Sequence, residues 1–490
     1  MAMTGNGMRA MLGCACAALL SCMLLAEDVD PAASIDAAVA PLAAAPVYTT
    51  PVPAVEVSPR QGIGNFLAKV RAGKPVTVAY LGGSITQQGD DRTGKGGWRV
   101  KTTKWLRETY PQAKIAEVNA AIGGTGSELG VYRVGQDVLD HDPDLLFVEF
   151  ACNDGGDGGH PQRIWRSMEG IVRQTWRKNP RTDIVFAYTI TTSMTNTYAK
   201  GLRPRAAGAD DMLAAHYGIP SIDFGPRVWK AVAENRLMMT AGEIETAVPK
   251  DDPARERKVQ ERLAKDPRIL FSRDGVHPND DGHGFYLASV QAGFAALQDL
   301  PAVDHGPKLA TPFVADNMER AKLVDITPAM LSGDWARLPC GDAKYDGLRR
   351  FSGCLGDNIL LARRPGAKLS FSFRGTACQI YDLLGPDCGQ VWVTFDGVRA
   401  KRPVARFDGY CTYYRLASLP VGGSADAVHA VEIELDAQQP SRQPVAFRLK
   451  DPAKELAAPK YNGTSWIVGR IMLVGDLVGE GPVGREGAGK

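Results

Sequence analysis

Residues Val76–Asp90 read VTVAYLGGSITQQGD. Val76 through Leu81 is an apolar run that opens on β-branched residues, the composition of a strand buried on both faces. Gly82 and Gly83 break the run, and Ser84 follows at once. A serine in an ordinary loop has no need of so tight a turn. A serine nucleophile does, because its hydroxyl has to stand clear of the backbone at the end of a sheet.

Strand and helix patterns alternate outward from this stretch. Strands are expected at Val76–Leu81, Lys114–Asn119, Leu145–Phe150, in DIVFAYTI (183–190) and in SIDF (221–224). Helical patterns fall between them, in GWRVKTTKWLRETYP (97–111), PQRIWRSMEGIVRQTWRKNP (161–180), ADDMLAAHYGIP (209–220) and GHGFYLASVQAGFAALQ (282–298). Such alternation over residues 61–300 implies an α/β domain, a parallel sheet with helices on both faces. Between Val228 and Leu270 lies a charged insertion expected to be partly helical and solvated. From about Asp304 the texture changes to alternating strands between Gly, Pro and Asp turns, as in AKLSFSFRGTACQIYDL (367–383) and WIVGRIMLVGDL (466–477). Residues 305–482 therefore read as an all-β sandwich or jelly roll, and the break is expected near Pro301–Pro312.

The chain of 490 residues is too long for one core. A formal net charge of +2 and the lack of a long basic block exclude a nucleic-acid partner. Residues 1–26 hold one Arg and then an apolar, Ala-rich stretch, the layout of an export signal, with Cys22 a candidate for a lipid anchor. Residues 27–60 are rich in Ala, Pro and Val without period and read as an extended tether. Nine cysteines are present. Cys340, Cys354, Cys378, Cys388 and Cys411 crowd into the second half, where export would favour disulfides, with one thiol left over or reaching Cys152.

Ligands of an α/β sheet bind at the carboxyl ends of its strands, so the residues after each strand carry the chemistry. These are Gly82-Gly83-Ser84, Asn119 to Gly126, Cys152-Asn153-Asp154-Gly155 and, before the last helix, RDGVHPND (273–280). Their residue types complete one mechanism. A serine hydroxyl is a weak nucleophile and needs a base, which His277 supplies. The imidazole needs its other nitrogen held, a task for the carboxylate of Asp274. The oxyanion of a tetrahedral intermediate needs donors, available from the backbone N–H of Ser84 and Gly124 and the amide of Asn153. His283 is expected at a helix start and His160 in solvent, while Cys152 reads as a small buried hydrophobe. No Cys/His set has zinc spacing, so neither a catalytic metal nor a cofactor is expected.

These four blocks, Gly-Gly-Ser-Ile-Thr, Ile-Gly-Gly-Thr-Gly, Cys-Asn-Asp-Gly and Asp-Gly-Val-His-Pro, resemble in order those of the SGNH (GDSL-like) hydrolases. The resemblance covers about Gly62 to Leu300 and implies a three-layer α/β/α, flavodoxin-like domain. It makes Ser84 the nucleophile, His277 the base, Asp274 its partner, and Gly124 and Asn153 oxyanion donors. Gly83 departs from the family pattern, where an Asp commonly precedes the serine. The β region resembles the jelly-roll modules fused to carbohydrate-active enzymes, whose aromatics stack on sugars; Trp392, Tyr413 and Tyr414 are the candidates here. The expectation is an exported esterase that removes O-acyl groups, O-acetyl foremost, from a polysaccharide. Its rivals are a lipase or thioesterase acting on longer acyl chains and a non-catalytic glycan-binding protein.

Overall fold

The computed structural model describes residues 46–49, 51–90, 92–339, 348, 351–356, 358–423 and 425–481. The expected export signal, the lipid-anchor cysteine Cys22 and the thiol of Cys340 lie outside these residues. The chain divides into two compact units, one ending at Glu319 and the other beginning at Arg320.

Among the described residues the main sheet of the first unit has six strands: β1 (Val57–Ser58), β2 (Val76–Gly82), β3 (Ile115–Ala121), β4 (Leu145–Glu149), β5 (Asp183–Tyr188) and β6 (Ser221–Asp223). Their order across the sheet is β1-β6-β5-β4-β2-β3. All neighbours are parallel except β1, which joins β6 antiparallel at the edge. Leaving out β1, the order is that of the flavodoxin-like doubly wound sheet. Seven helices matter to the site and its support: α1 (Gly64–Arg71), α2 (Ser84–Gln87), α3 (Trp98–Thr109), α4 (Ser127–Asp137), α5 (Pro161–Lys178), α6 (Arg205–Tyr217) and α7 (Asp280–Leu297).

Both faces of the sheet are covered, which is why its strands are continuous apolar runs and do not alternate. Val78, Tyr80, Leu145, Phe147 and Val185 pack with Phe66 of α1, Trp98 of α3 and Tyr286 and Phe294 of α7. The alternate residues Ala79, Leu81, Leu146, Val148, Ile184 and Phe186 are equally buried on the opposite face. Within the first core Tyr80 stacks on Phe147 with centroids 5.1 Å apart, and Trp98 meets both rings edge-on. This ties the two strands whose ends carry Ser84 and Asn153.

Two boundaries differ from the sequence reading. The tether does not extend to residue 60: Val57 and Ser58 pair with Ile222 and Ser221, and Glu56 binds Arg227 and Ser289. A short, polar edge strand has no apolar period to announce it. The α/β unit also does not end at residue 300. His305 stacks on Trp176 and bonds Asp183 at 3.0 Å, and the N–H groups of Phe313 and Val314 donate to buried Glu169. Prolines there read as a linker, yet the segment carries partners for buried acids. Helix α4 is also absent from the sequence reading, because its Gly-flanked start hides the helical period.

The insertion folds around Met238, Ile244, Val248 and Val259. A two-stranded parallel ladder of Leu237–Met238 with Ile269–Leu270 leads directly into Ser272–His277.

Among the described residues the second unit holds 11 strands in one antiparallel sheet curled around an apolar core. Lys368–Leu384 runs through it, pairing with Trp466–Glu480 for much of its length, with Ala427–Leu435 along its first half and with Arg415–Gly422 along its second. Register shifts at Ser372/Phe373, Gly375/Ala377 and Tyr381/Asp382 bend the long pair. Phe371, Phe373, Ile380, Trp466, Ile471 and Leu473 fill the core. Cys378 and Cys388 are buried thiols and do not form a disulfide with each other; burial holds both well above their ordinary pKa.

Candidate active site

Strands β2 and β4 lie side by side, with Gly82 opposite Glu149. The chain leaves β2 toward β3 on one side and leaves β4 toward β5 on the other, so their ends form the switch point of the sheet. Ser84 is the first residue of α2, immediately past β2, with Gly83 as its extended N-cap at φ −94° and ψ −156°. A Cβ on Gly83 would stand 1.9 Å from Asn153 Oδ1, so the Asn153 carboxamide lies directly against the backbone that presents Ser84. That contact accounts for glycine at this position. The loop after β3 closes in from the other side: a Cβ on Gly123 would lie 3.4 Å from Ser84 Cβ.

His277 arrives from the loop before α7. Its Nε2 is 2.7 Å from Ser84 Oγ, and its Nδ1 is 2.7 Å from Asp274 Oδ2. Asp274 Oδ1 accepts from the N–H groups of Val276 and His277 and from the Ser272 hydroxyl. Partial burial raises the Asp274 carboxyl, but the His277 ring, these N–H groups and Ser272 outweigh it and hold the group well below the usual carboxylate range. An ionised carboxylate can only accept, so Nδ1 of His277 carries the proton. In the neutral ring Nε2 then has a free lone pair and accepts from Ser84 Oγ–H.

The two segments expected to supply oxyanion donors, Gly123–Gly124 and Asn153, border the turn that presents Ser84. The N–H of Gly123 is taken by Gln87 Oε1 at 2.9 Å. The N–H of Gly124, a residue at φ +74°, has no acceptor among the described residues. Asp154, next to Asn153, accepts the Ser127 N–H at 2.8 Å and thereby caps α4. Below the site, buried Glu149 accepts from Thr86 at 2.8 Å and Thr189 at 2.7 Å, and Trp98 Nε1 donates to Thr86 at 3.2 Å. Burial raises the Glu149 carboxyl.

All five residues expected from the sequence, Ser84, Gly124, Asn153, Asp274 and His277, thus come from the four loops at this edge. Gln87, Asp154, Glu149 and Ser272 join them without having been expected there. Asp154 stands in the Cys-Asn-Asp-Gly block, whereas an exposed glutamine one turn past Ser84 carries no sequence signal. His283 is buried, accepts from the Trp98 N–H at 3.1 Å and is pushed down to about 3 by burial. His160 is exposed at the N-cap of α5 and Cys152 is buried. In the β unit, Tyr413 is exposed, Trp392 lies under Arg399 at 4.5 Å, and the Tyr414 hydroxyl donates to Asp387 at 2.6 Å.

The family model described as GDSL-like Lipase/Acylhydrolase matches residues 80–285, from the middle of β2 to the start of α7. Over residues 80–285 the chain is thus similar to the GDSL-like lipases and acylhydrolases. Thioesterase 1/protease 1/lysophospholipase L1 of Escherichia coli (strain K12) is 29% identical over 114 residues, 23% of this chain and 51% of that protein. The chain thus spans about half the length of the curated relatives it matches. The α/β unit and the β unit together resemble the crystal structure of a two-domain esterase (CEX) active on acetylated mannans, co-crystallized with mannopentaose. That likeness has a TM-score of 0.61 at 16% identity and covers 88% of this chain and 98% of the other. A second crystal structure of that esterase matches with the same TM-score and identity over 85% of this chain and 97% of the other. At this identity the likeness is one of fold.

Proposed function

We propose that the chain is an exported serine ester hydrolase that removes O-acetyl groups from a polysaccharide. The observation that carries the hydrolytic part is the Ser84–His277–Asp274 relay, with both contacts at 2.7 Å. Ser84 Oγ attacks the ester carbonyl while Nε2 of His277 takes its proton, and Asp274 stabilises the imidazolium that forms. The N–H groups of Ser84 and Gly124 and the Asn153 amide receive the oxyanion. The tetrahedral adduct collapses, the sugar hydroxyl leaves with the proton from His277, and Ser84 retains the acyl group. Water, deprotonated by His277, then attacks the acyl-enzyme and releases acetate and free Ser84.

The polysaccharide substrate is supported by the β unit and by the fold shared with an esterase active on acetylated mannans. Export is supported by the layout of residues 1–26. Acetate release from a panel of acetylated polysaccharides, alongside p-nitrophenyl esters of rising chain length, tests the reading. Acetyl esters should be turned over fastest and Ser84→Ala should nearly abolish turnover. Faster cleavage of long-chain esters would favour the thioesterase-like alternative that the E. coli relative suggests. Full activity in Ser84→Ala would remove the nucleophile assignment.

A further inference from the structure

The Gly124 peptide poses a problem of position. Its φ of +74° and the lack of any heavy atom within 4 Å of where its Cβ would stand mean that side-chain packing does not hold it. An oxyanion donor nevertheless has to be fixed to within about 0.5 Å of its productive place. The residues on either side of it are anchored. On one side the Gly123 N–H donates to Gln87 Oε1 at 2.9 Å, and Gln87 closes the helix that begins with Ser84. On the other the Ser127 N–H donates to Asp154 Oδ1 at 2.8 Å, and the same oxygen lies 2.4 Å from where a Gly126 Cβ would be. Asp154 directly follows Asn153. Each anchor therefore joins the Gly124 loop to another donor-bearing segment.

We infer that Gln87 and Asp154 are positioning residues that clamp the Gly124 loop from both sides, setting its N–H relative to Ser84 and Asn153. The inference rests on the esterase reading above. Neither residue need touch the substrate. Asp154 acts through its acceptor oxygen, which takes the Ser127 N–H; burial pushes its carboxyl up to about 7. Asp154→Asn keeps an acceptor oxygen, whereas Asp154→Ala loses it. Gln87→Met removes the acceptor with little change of volume at an exposed site.

The test uses the full chain and p-nitrophenyl acetate, with kcat, KM, melting temperature and the affinity of a trifluoromethyl ketone that forms an oxyanion on Ser84. Gln87→Met and Asp154→Ala should each lower kcat by about 10–10²-fold, since a misplacement of about 1 Å costs up to 10²-fold. KM should stay within about twofold, and ketone affinity should fall in step with kcat/KM. Asp154→Asn should recover most of the loss. A raised KM with kcat unchanged in Gln87→Met would make it a substrate contact and overturn the clamp. A lowered melting temperature with kcat unchanged in Asp154→Ala would leave it a helix cap only, and would overturn the clamp as well. Failure of the esterase reading is separate, since it shows as retained activity in Ser84→Ala.

Discussion

Gly83 is where a single atom decides the chemistry. A methyl group there would collide with Asn153 Oδ1, the end of a side chain free to swing away, while the backbone angles of Gly83 suit any residue. Gly83→Ala should therefore leave the melting temperature nearly unchanged and lower kcat, because the displaced group is the proposed oxyanion donor. The loss should approach that of Asn153→Ala, which is expected to lower kcat by about 10²–10³-fold with a modest change in KM. Steady-state kinetics on a short-chain ester with a thermal melt checks both. Unimpaired kcat in Gly83→Ala would mean that Asn153 is not held where the reaction needs it. At this scale much of the site was legible in the sequence, because Ser84 follows a glycine break at a strand end, Asn153 stands just past a buried apolar run, and the Asp274–His277 pair precedes a helix. Gln87 and Ser272 were not, since a polar side chain that bonds to a backbone N–H or to a carboxylate leaves no spacing to read.

The elements that carry these loops bury several acids in the α/β unit. Asp154 and Asp223 are pushed up to about 7 and about 6 by burial, the latter in spite of Arg203 and Tyr198, and burial raises Glu149 and Asp210 as well. A carboxyl whose folded pKa exceeds its unfolded value keeps a proton that the unfolded chain has lost. Its contribution to stability then falls as pH rises from about 4 to its folded pKa, by about 1.4 kcal/mol per pH unit for each group. Asp154→Asn removes one such group and keeps the bond to Ser127. Relative to the native chain, the variant should gain stability between about pH 4 and pH 7 and hold that gain above it. Melting curves across pH 4.5–8 check this; a difference independent of pH would mean that Asp154 is already ionised at the acid end. His283 works in the other direction, since the folded chain keeps it neutral and stability is lost as pH falls below about 6.5. None of this was visible in the sequence, where an acid in a helix or strand reads as a solvated residue. The strands themselves were visible, because burial on both faces demands unbroken apolar runs.

At the scale of the whole chain, the change from α/β alternation to β alternation was plain, but the boundary, between Glu319 and Arg320, lies beyond the Pro301–Pro312 stretch where the pattern puts it. Residues 301–319 have no helical or strand period. They belong to the first unit because of what they satisfy: Val303 O accepts from Asn65 at 2.7 Å, His305 bonds Asp183, the N–H groups of Phe313 and Val314 bind Glu169, and Glu319 pairs with Arg173 and Arg177. Glu169 is fully buried, and burial already raises its carboxyl. Cutting the chain after Gln298 would strip two N–H donors from it and His305 from Asp183, at a cost of about 1–3 kcal/mol for each lost bond to a buried acid. A chain ending at Glu319 keeps all of these bonds together with the four loops of the site. It should stay soluble and hydrolyse p-nitrophenyl acetate at close to the full-length rate, whereas the chain ending at Gln298 should melt well below it or precipitate. Weaker action of the Glu319-terminated chain on acetylated polysaccharide alone would assign the β unit to substrate capture. Equal loss on the polymer and on the small ester would instead make the β unit a support for the fold of the catalytic unit.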